Sequence, residues 1–264
     1  MNDVVIASNE ADARAAEAVE RHHAGMVGAL TLAVEGLAAA TRSGQPASAE
    51  ERRLDLVRWC REELVPHALA EETTMYAAAA EMPTARLLIE AMLAEHRAIV
   101  ALVDELANTS EPVAASGLGR AVRAVFEVHL AKENEQVLPL LVAAPGVSVA
   151  DLLGGMHELL GGEASEHDAP AGGHEAGHQC TCGEADGNEL PELDARVIPH
   201  AIRHATVFGA LDGVDPGRGL VLLVSHDPLP LLAQLEQRSP GAFAVDYLER
   251  GPDVWRLRLM RKSG

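Results

Sequence analysis

Between residues 10 and 143, apolar side chains recur at the 3.6-residue period of an α-helix, in stretches rich in Ala, Leu, Glu and Arg and too long for strands. The pattern breaks only at Ser43-Gly44-Gln45-Pro46, at Pro83, and from Glu111-Pro112 through Gly117. These breaks predict four long helices, over about 10–41, 48–80, 84–108 and 116–143. Each must bury one apolar stripe, and three short connections make neighbouring helices antiparallel, so an up-and-down four-helix bundle is expected. A fifth short helix near 148–160 would pack on its end.

Residues 161–188, GGEASEHDAPAGGHEAGHQCTCGEADGN, lose the periodicity and read as a flexible linker. Beyond it, LDARVI, LVLLV, FAVDYLE and VWRLRLM read as short strands, and PHAIRHATVFGALDGV and PLPLLAQLEQR as helices. The order βαβαββ, with both helices on one side of four strands, describes a small two-layer α/β sandwich. The expected fold is therefore mainly α: a bundle over 10–160, a linker over 161–188 and a sandwich over 189–264.

Forty acidic residues against 21 basic ones leave a formal charge of −19, and residues 1–188 hold 30 of the acids but only 12 of the bases. Such a field opposes phosphate backbones and anionic lipid, so neither nucleic acid nor membrane is expected as a partner. No apolar run looks long enough to cross a bilayer, and MNDVVIASNEADARAAE lacks the basic start and apolar core of a secretion signal. Three cysteines, Cys60, Cys180 and Cys182, cannot staple a chain this long, which fits a reducing compartment. A cytoplasmic location is expected.

The unusual count is 12 histidines. His67-Ala-Leu-Ala-Glu71 lies on the second predicted helix and His129-Leu-Ala-Lys-Glu133 on the fourth, and each places an imidazole and a carboxylate on one helical face. By count alone this is weak, since about two of twelve histidines would have an acid four residues on by chance. Register carries the weight. His22-His23-Ala-Gly-Met-Val-Gly-Ala-Leu on helix one aligns with Glu95-His96-Arg-Ala-Ile-Val-Ala-Leu-Val on helix three, setting His23 opposite His96, with His22 as the alternative should the register slip by one. A helix pair thus occurs twice, with one His on its first helix and His-x-x-x-Glu on its second. His23, His67, Glu71, His96, His129 and Glu133 together suit two metal ions, both carboxylates bridging, with a solvent-derived oxo or hydroxo bridge and one open position on each ion. Imidazole with carboxylate favours iron over manganese or zinc and disfavours copper(I). Glu72, Glu135 and Lys132 read as outer neighbours of the site, Met26, Met75, Ile99 and Leu138 as its dry walls, and Cys60 as a buried small hydrophobe.

These six residues in register resemble the hemerythrin-like, or HHE cation-binding, family over residues of about 15 to 143, and are similar to its four-His, two-Glu members, which include di-iron proteins that repair iron–sulfur centres. The resemblance implies a non-heme di-iron protein reacting with O2, peroxide or nitric oxide, in stress defence or iron–sulfur repair. If an enzyme, it would be a di-iron oxidoreductase. A gas or redox sensor without turnover, or an iron store or donor, are the alternatives. Where oxygen carriers of the family have a fifth histidine, four residues after His96, stands Val100, and where they have an aspartate stands Asn134. Both differences favour an open, reactive iron pair over reversible oxygen carriage.

In the linker, His167, His174, His178, Cys180 and Cys182 lie close together; Cys-x-Cys can hold a soft metal or form a mixed disulfide, but nothing fixes its geometry, and adventitious or no metal binding is favoured over a transient metal or redox role. The sandwich resembles DUF2249 through Leu193-Asp-Ala-Arg196, Ile198-Pro-His-Ala-Ile-Arg-His-Ala-Thr206 and Ser225-His-Asp-Pro-Leu-Pro-Leu231. That family looks like the TusA/SirA sulfur carriers, whose nucleophilic cysteine is here Ile198, so sulfur transfer by this domain alone is not expected. His200, His204 and His226 could converge, although capping and surface roles are favoured. A protein partner through this domain is expected.

Overall fold

The computed structural model describes residues 10–159, 190–198 and 200–263. The expected linker, with its three histidines and both its cysteines, lies outside the described residues.

Four antiparallel rods form the bundle. The first is a single helix, α1 (Glu10–Arg42), closed by Gly44 at φ 65°, a left-handed conformation that glycine adopts without strain. The second is composite: α2 (Pro46–Trp59), a π-helical turn (Cys60–Leu64), α3 (Val65–Thr73) and, after a break at Thr74, α4 (Met75–Ala80). The third is α5 (Arg86–Asn108), and the fourth joins α6 (Pro112–Lys132), a second π turn (Glu133–Val137) and α7 (Leu138–Ala143). The short helix α8 (Val149–Leu159) rests against α1, its first turn held by Asp12, which accepts from Ala150 N at 3.0 Å and Ser148 Oγ at 3.1 Å.

Three expectations need correction. The fourth rod begins at Pro112, not near residue 116: Pro112 supplies a first-turn residue that needs no N–H partner, and the Glu111 carboxylate accepts from Val113 N and Ala114 N. The second and fourth rods are not continuous α-helices, because Pro66 and Pro139 each remove an N–H, and the residue before each proline bonds five residues back, Val65 N to Cys60 O and Leu138 N to Glu133 O. Finally, α1 does contain an 18-residue window apolar enough to cross a membrane by length and composition, with 61% of that window buried inside the protein. It is the helix on which α2, α6 and α9 (His200–Asp212) all pack, which explains why it is apolar around most of its circumference.

The C-terminal part follows the expected order: β1 (Glu192–Asp194), α9, β2 (Gly219–Val224), α10 (Leu229–Arg238), β3 (Phe243–Arg250) and β4 (Trp255–Arg261). Residues 195–198, expected in the first strand, instead form a turn and bend. The strands lie side by side as β1-β2-β4-β3, with β1 and β2 parallel and the other pairs antiparallel. Leu220, Leu222 and Val224 of β2 share a face with Leu257 and Leu259 of β4, and that face buries Phe208 and Leu211 of α9 and Leu231 and Leu235 of α10. Both helices therefore cover one side of a mixed four-stranded sheet.

Candidate metal centre

At one level of the bundle, every rod interrupts its apolar pattern. Val19 and Met26 flank His23 on α1, Leu64 and Met75 flank His67 and Glu71, Met92 and Ile99 flank His96, and Phe126 and Val137 flank His129 and Glu133. A polar layer thus lies between two apolar clusters, with none of its six residues more than 3% exposed. Withdrawing carboxylates from water this completely is costly unless they are paired or bind a cation.

The inward atoms converge. His67 Nε2 and His23 Nε2 stand 2.7 and 3.3 Å from Glu71 Oε1, and His96 Nε2 stands 3.6 Å from Glu71 Oε2 and 2.9 Å from His129 Nε2. Glu133 Oε2 lies between the two sides, 3.7 Å from His23 Nε2 and 3.8 Å from His129 Nε2. The donors form two groups able to hold an ion, His23–His67–Glu71 and Glu71–His96–His129, which share Glu71. Four of these inward atoms, His23 Nε2, His67 Nε2, Glu71 Oε1 and Glu133 Oε2, are buried without a hydrogen-bond partner, despite the short approaches. Buried polar atoms are almost always satisfied, so atoms aimed at a common point and left unsatisfied fit a cation there.

The outward atoms of three rings are held, while His67 Nδ1 is buried without a hydrogen-bond partner. His23 Nδ1 bonds Asn134 Oδ1 at 2.8 Å, His96 Nδ1 bonds Glu72 Oε1 at 2.8 Å, and His129 Nδ1 bonds Glu95 Oε2 at 3.1 Å. Each acceptor requires a proton on Nδ1 and so leaves the Nε2 lone pair facing inward, the arrangement that histidine ligands use. Lys132 donates to Glu95 from the other side. Tyr76, stacked on the His96 ring at a centroid distance of 5.3 Å, donates its hydroxyl to Glu133 Oε1 at 2.5 Å and lies 3.1 Å from His129 Nε2. The break at Thr74 rotates Tyr76 inward, where a continuous helix would aim a residue five positions after Glu71 well off that line.

The electrostatics divide the two carboxylates. Burial alone would raise Glu71, but the His67 ring, then His23 and His96, hold it well below the usual carboxylate range. Glu133 is pushed well above that range by burial and then by the charge of Glu71. Burial, and next the neighbouring His96, bring His129 down to about 4. Without a cation, then, Glu71 is the carboxylate that favours its charge and Glu133 the one that favours its proton.

All six residues expected at the site are brought together here. His22 is exposed, its ring 5.0 Å from that of His67, while His23 occupies the layer. Glu72 and Lys132 are outer partners, as expected, and Met26, Met75, Ile99 and Leu138 are buried around the layer. Cys60 is buried, its thiol pushed up to about 12 by burial. Val100 requires correction: it is 37% exposed, and the position beyond His96 that faces the core is Ile99, so Val100 says nothing about how open the centre is. His204 packs edge-on against Phe208 and His226 meets Ser225, so these two do not converge; the His200 side chain lies outside the described residues. Tyr76 and Glu95 were not anticipated. Their contacts cross between rods, although the Glu95 alignment with His22 offered a hint.

Comparison with known families gives two matches. Residues 14–141 match the hemerythrin HHE cation binding domain, and residues 192–261 match DUF2249, described as an uncharacterized conserved protein. No curated protein and no solved structure matches the chain.

Proposed function

With residues 14–141 matching the hemerythrin HHE cation binding domain and residues 192–261 matching DUF2249, we propose that the bundle holds two iron ions and reacts with O2, peroxide or nitric oxide, in oxidative or nitrosative stress defence or in iron–sulfur repair. The observation that carries this reading is the buried layer of inward, unsatisfied Nε2 and carboxylate oxygen atoms, whose two donor groups share Glu71. His23 and His67 would hold one ion and His96 and His129 the other, with Glu71 and Glu133 bridging. When bound, the iron pair supplies electrons and open positions for a small oxidant. The protein contributes everything around it: Asn134, Glu72 and Glu95 keep three rings aligned, Tyr76 holds a proton against Glu133 Oε1, and Met26, Ile99, Met75 and Leu138 exclude water.

Metal analysis of the purified full-length protein after anaerobic iron loading, with optical spectra before and after peroxide and nitric oxide, tests the reading. Two ions per chain and catalytic consumption of one oxidant support it; one ion or none sinks it. A sensing role is a second reading, favoured because α9 seats on Gly25 and Gly28 of α1, close to His23 on the same helix. Stoichiometric binding of the gas without turnover would select that reading.

A further inference from the structure

The repeated helix pair that aligns the six inward residues also aligns the residues around them. Glu72 and Asn134 each follow the glutamate of a His-x-x-x-Glu motif, Glu95 and His22 each precede the lone histidine of the partner helix, and Tyr76 and Leu138 each stand five positions beyond the glutamate. The inward donors are the same in both halves, two imidazoles and a carboxylate. The three outer positions all differ.

Every difference favours one half. His96 Nδ1 donates to Glu72 Oε1 at 2.8 Å and His129 Nδ1 to Glu95 Oε2 at 3.1 Å, so both rings of that half are backed by carboxylates. Tyr76 stacks on the His96 ring at 5.3 Å between centroids, and Lys132 anchors Glu95 from its far side. In the other half, His23 Nδ1 donates to the neutral amide oxygen of Asn134 at 2.8 Å. His67 Nδ1 is buried with no hydrogen-bond partner, and the ring beside it, 5.0 Å away, is the exposed His22. Leu138, the counterpart of Tyr76, offers no polar atom.

An imidazole gives electron density to a metal through Nε2 more readily when an anion accepts its Nδ1 proton, because the charge lost from the ring is compensated at its back. A neutral amide compensates less, and a bare Nδ1 not at all. Lys132 offsets part of the Glu95 charge, yet two carboxylates against one ammonium still leave the His96 and His129 rings with the more anionic support.

We propose that the two ion positions are unequal by construction: the ion held by His96 and His129 binds first and tighter, and the ion held by His23 and His67 loads last and leaves first. The proposal rests on the two-ion reading above and makes Glu72 and Glu95 positioning residues of the tighter position.

Anaerobic titration of the full-length metal-free protein with Co2+, followed by absorbance against a competing chelator, tests it. The wild type should take up two ions in two phases whose affinities differ by at least about tenfold. Glu72→Gln/Glu95→Gln should weaken the tighter phase about ten- to a hundredfold and leave the weaker phase in place, at unchanged helical content. His22→Glu, at an exposed position, gives His67 the carboxylate that Glu95 gives His129, and should tighten the weaker phase alone. A gain of affinity in one phase cannot come from a damaged fold. Two ions in a single phase in the wild type would overturn the inequality, as would equal weakening of both phases in the double variant or wild-type phases in His22→Glu. Fewer than two ions in the wild type would overturn the two-ion reading itself.

Discussion

His22 and His23 are adjacent, but a helix turns them about 100° apart, and only His23 enters the layer. Replacing His23 by Ala should lower the bound iron, whereas His22→Ala should retain it; metal analysis of the two variants decides, and equal losses would place both rings at the ion. The carboxylates carry a second expectation. Because burial and the Glu71 charge raise Glu133 well above the usual carboxylate range in the metal-free protein, and a cation needs the carboxylate, loading below that raised range must expel its proton. Affinity should therefore fall as the pH is lowered, and metal added to weakly buffered protein should acidify the solution. Glu133→Gln should abolish that proton release. Release undiminished in this variant would mean that the proton comes from elsewhere.

At the level of elements, two prolines and one arginine shape the bundle. Each π turn ends just before a proline, at Leu64-Val65-Pro66 and Val137-Leu138-Pro139, and the second begins at Glu133 itself. The wider turn sends Glu133 into the layer while the next residue, Asn134, reaches His23 on another rod. Arg53, buried on α2, donates to Leu106 O and Ala107 O at 3.0 Å each and so covers the carbonyls that end α5, where a cation also complements the helix dipole. Arg53→Met should cost about 1–3 kcal/mol, leaving buried carbonyls without donors. Arg58→Met, at an exposed pair with Asp55, should change stability by less than about 0.5 kcal/mol. Urea unfolding followed by circular dichroism compares them, and equal midpoints would refute the role given to Arg53.

Across the whole molecule, the two domains meet through glycine. A Cβ on Gly28 would stand 2.2 Å from Thr206 O and 2.5 Å from Ala210 N, and one on Gly209 would stand 2.5 Å from the Cα of Gly25. Backbone approaches this close leave no room for a side chain, so Gly28→Val should separate α9 from α1 while leaving both cores intact. Small-angle scattering should then report a larger radius of gyration at unchanged helical content. Unchanged scattering would show that the contact can reorganise around the valine.

Helical period, proline and glycine breaks, and the twofold His-x-x-x-Glu register are local properties, readable along one strand of sequence because each depends on residues within a few turns. They determined the bundle, the order of the sandwich elements and the six inward residues. Pro66 and Pro139 lie inside stretches that read as continuous helices, and only the backbone shows that the chain answers them by widening a turn. Glu72 and Lys132 adjoin ligands in the sequence, but the other outer partners could not be read this way: His23 meets Asn134 across 111 positions, Tyr76 meets Glu133 across 57 and Glu95 meets His129 across 34. Packing decides such pairs, because which helix faces become neighbours depends on how all four rods turn at once. The same reason explains why Val100 lies on the surface beside a buried Ile99, and why an apolar α1 is a core helix under three neighbours.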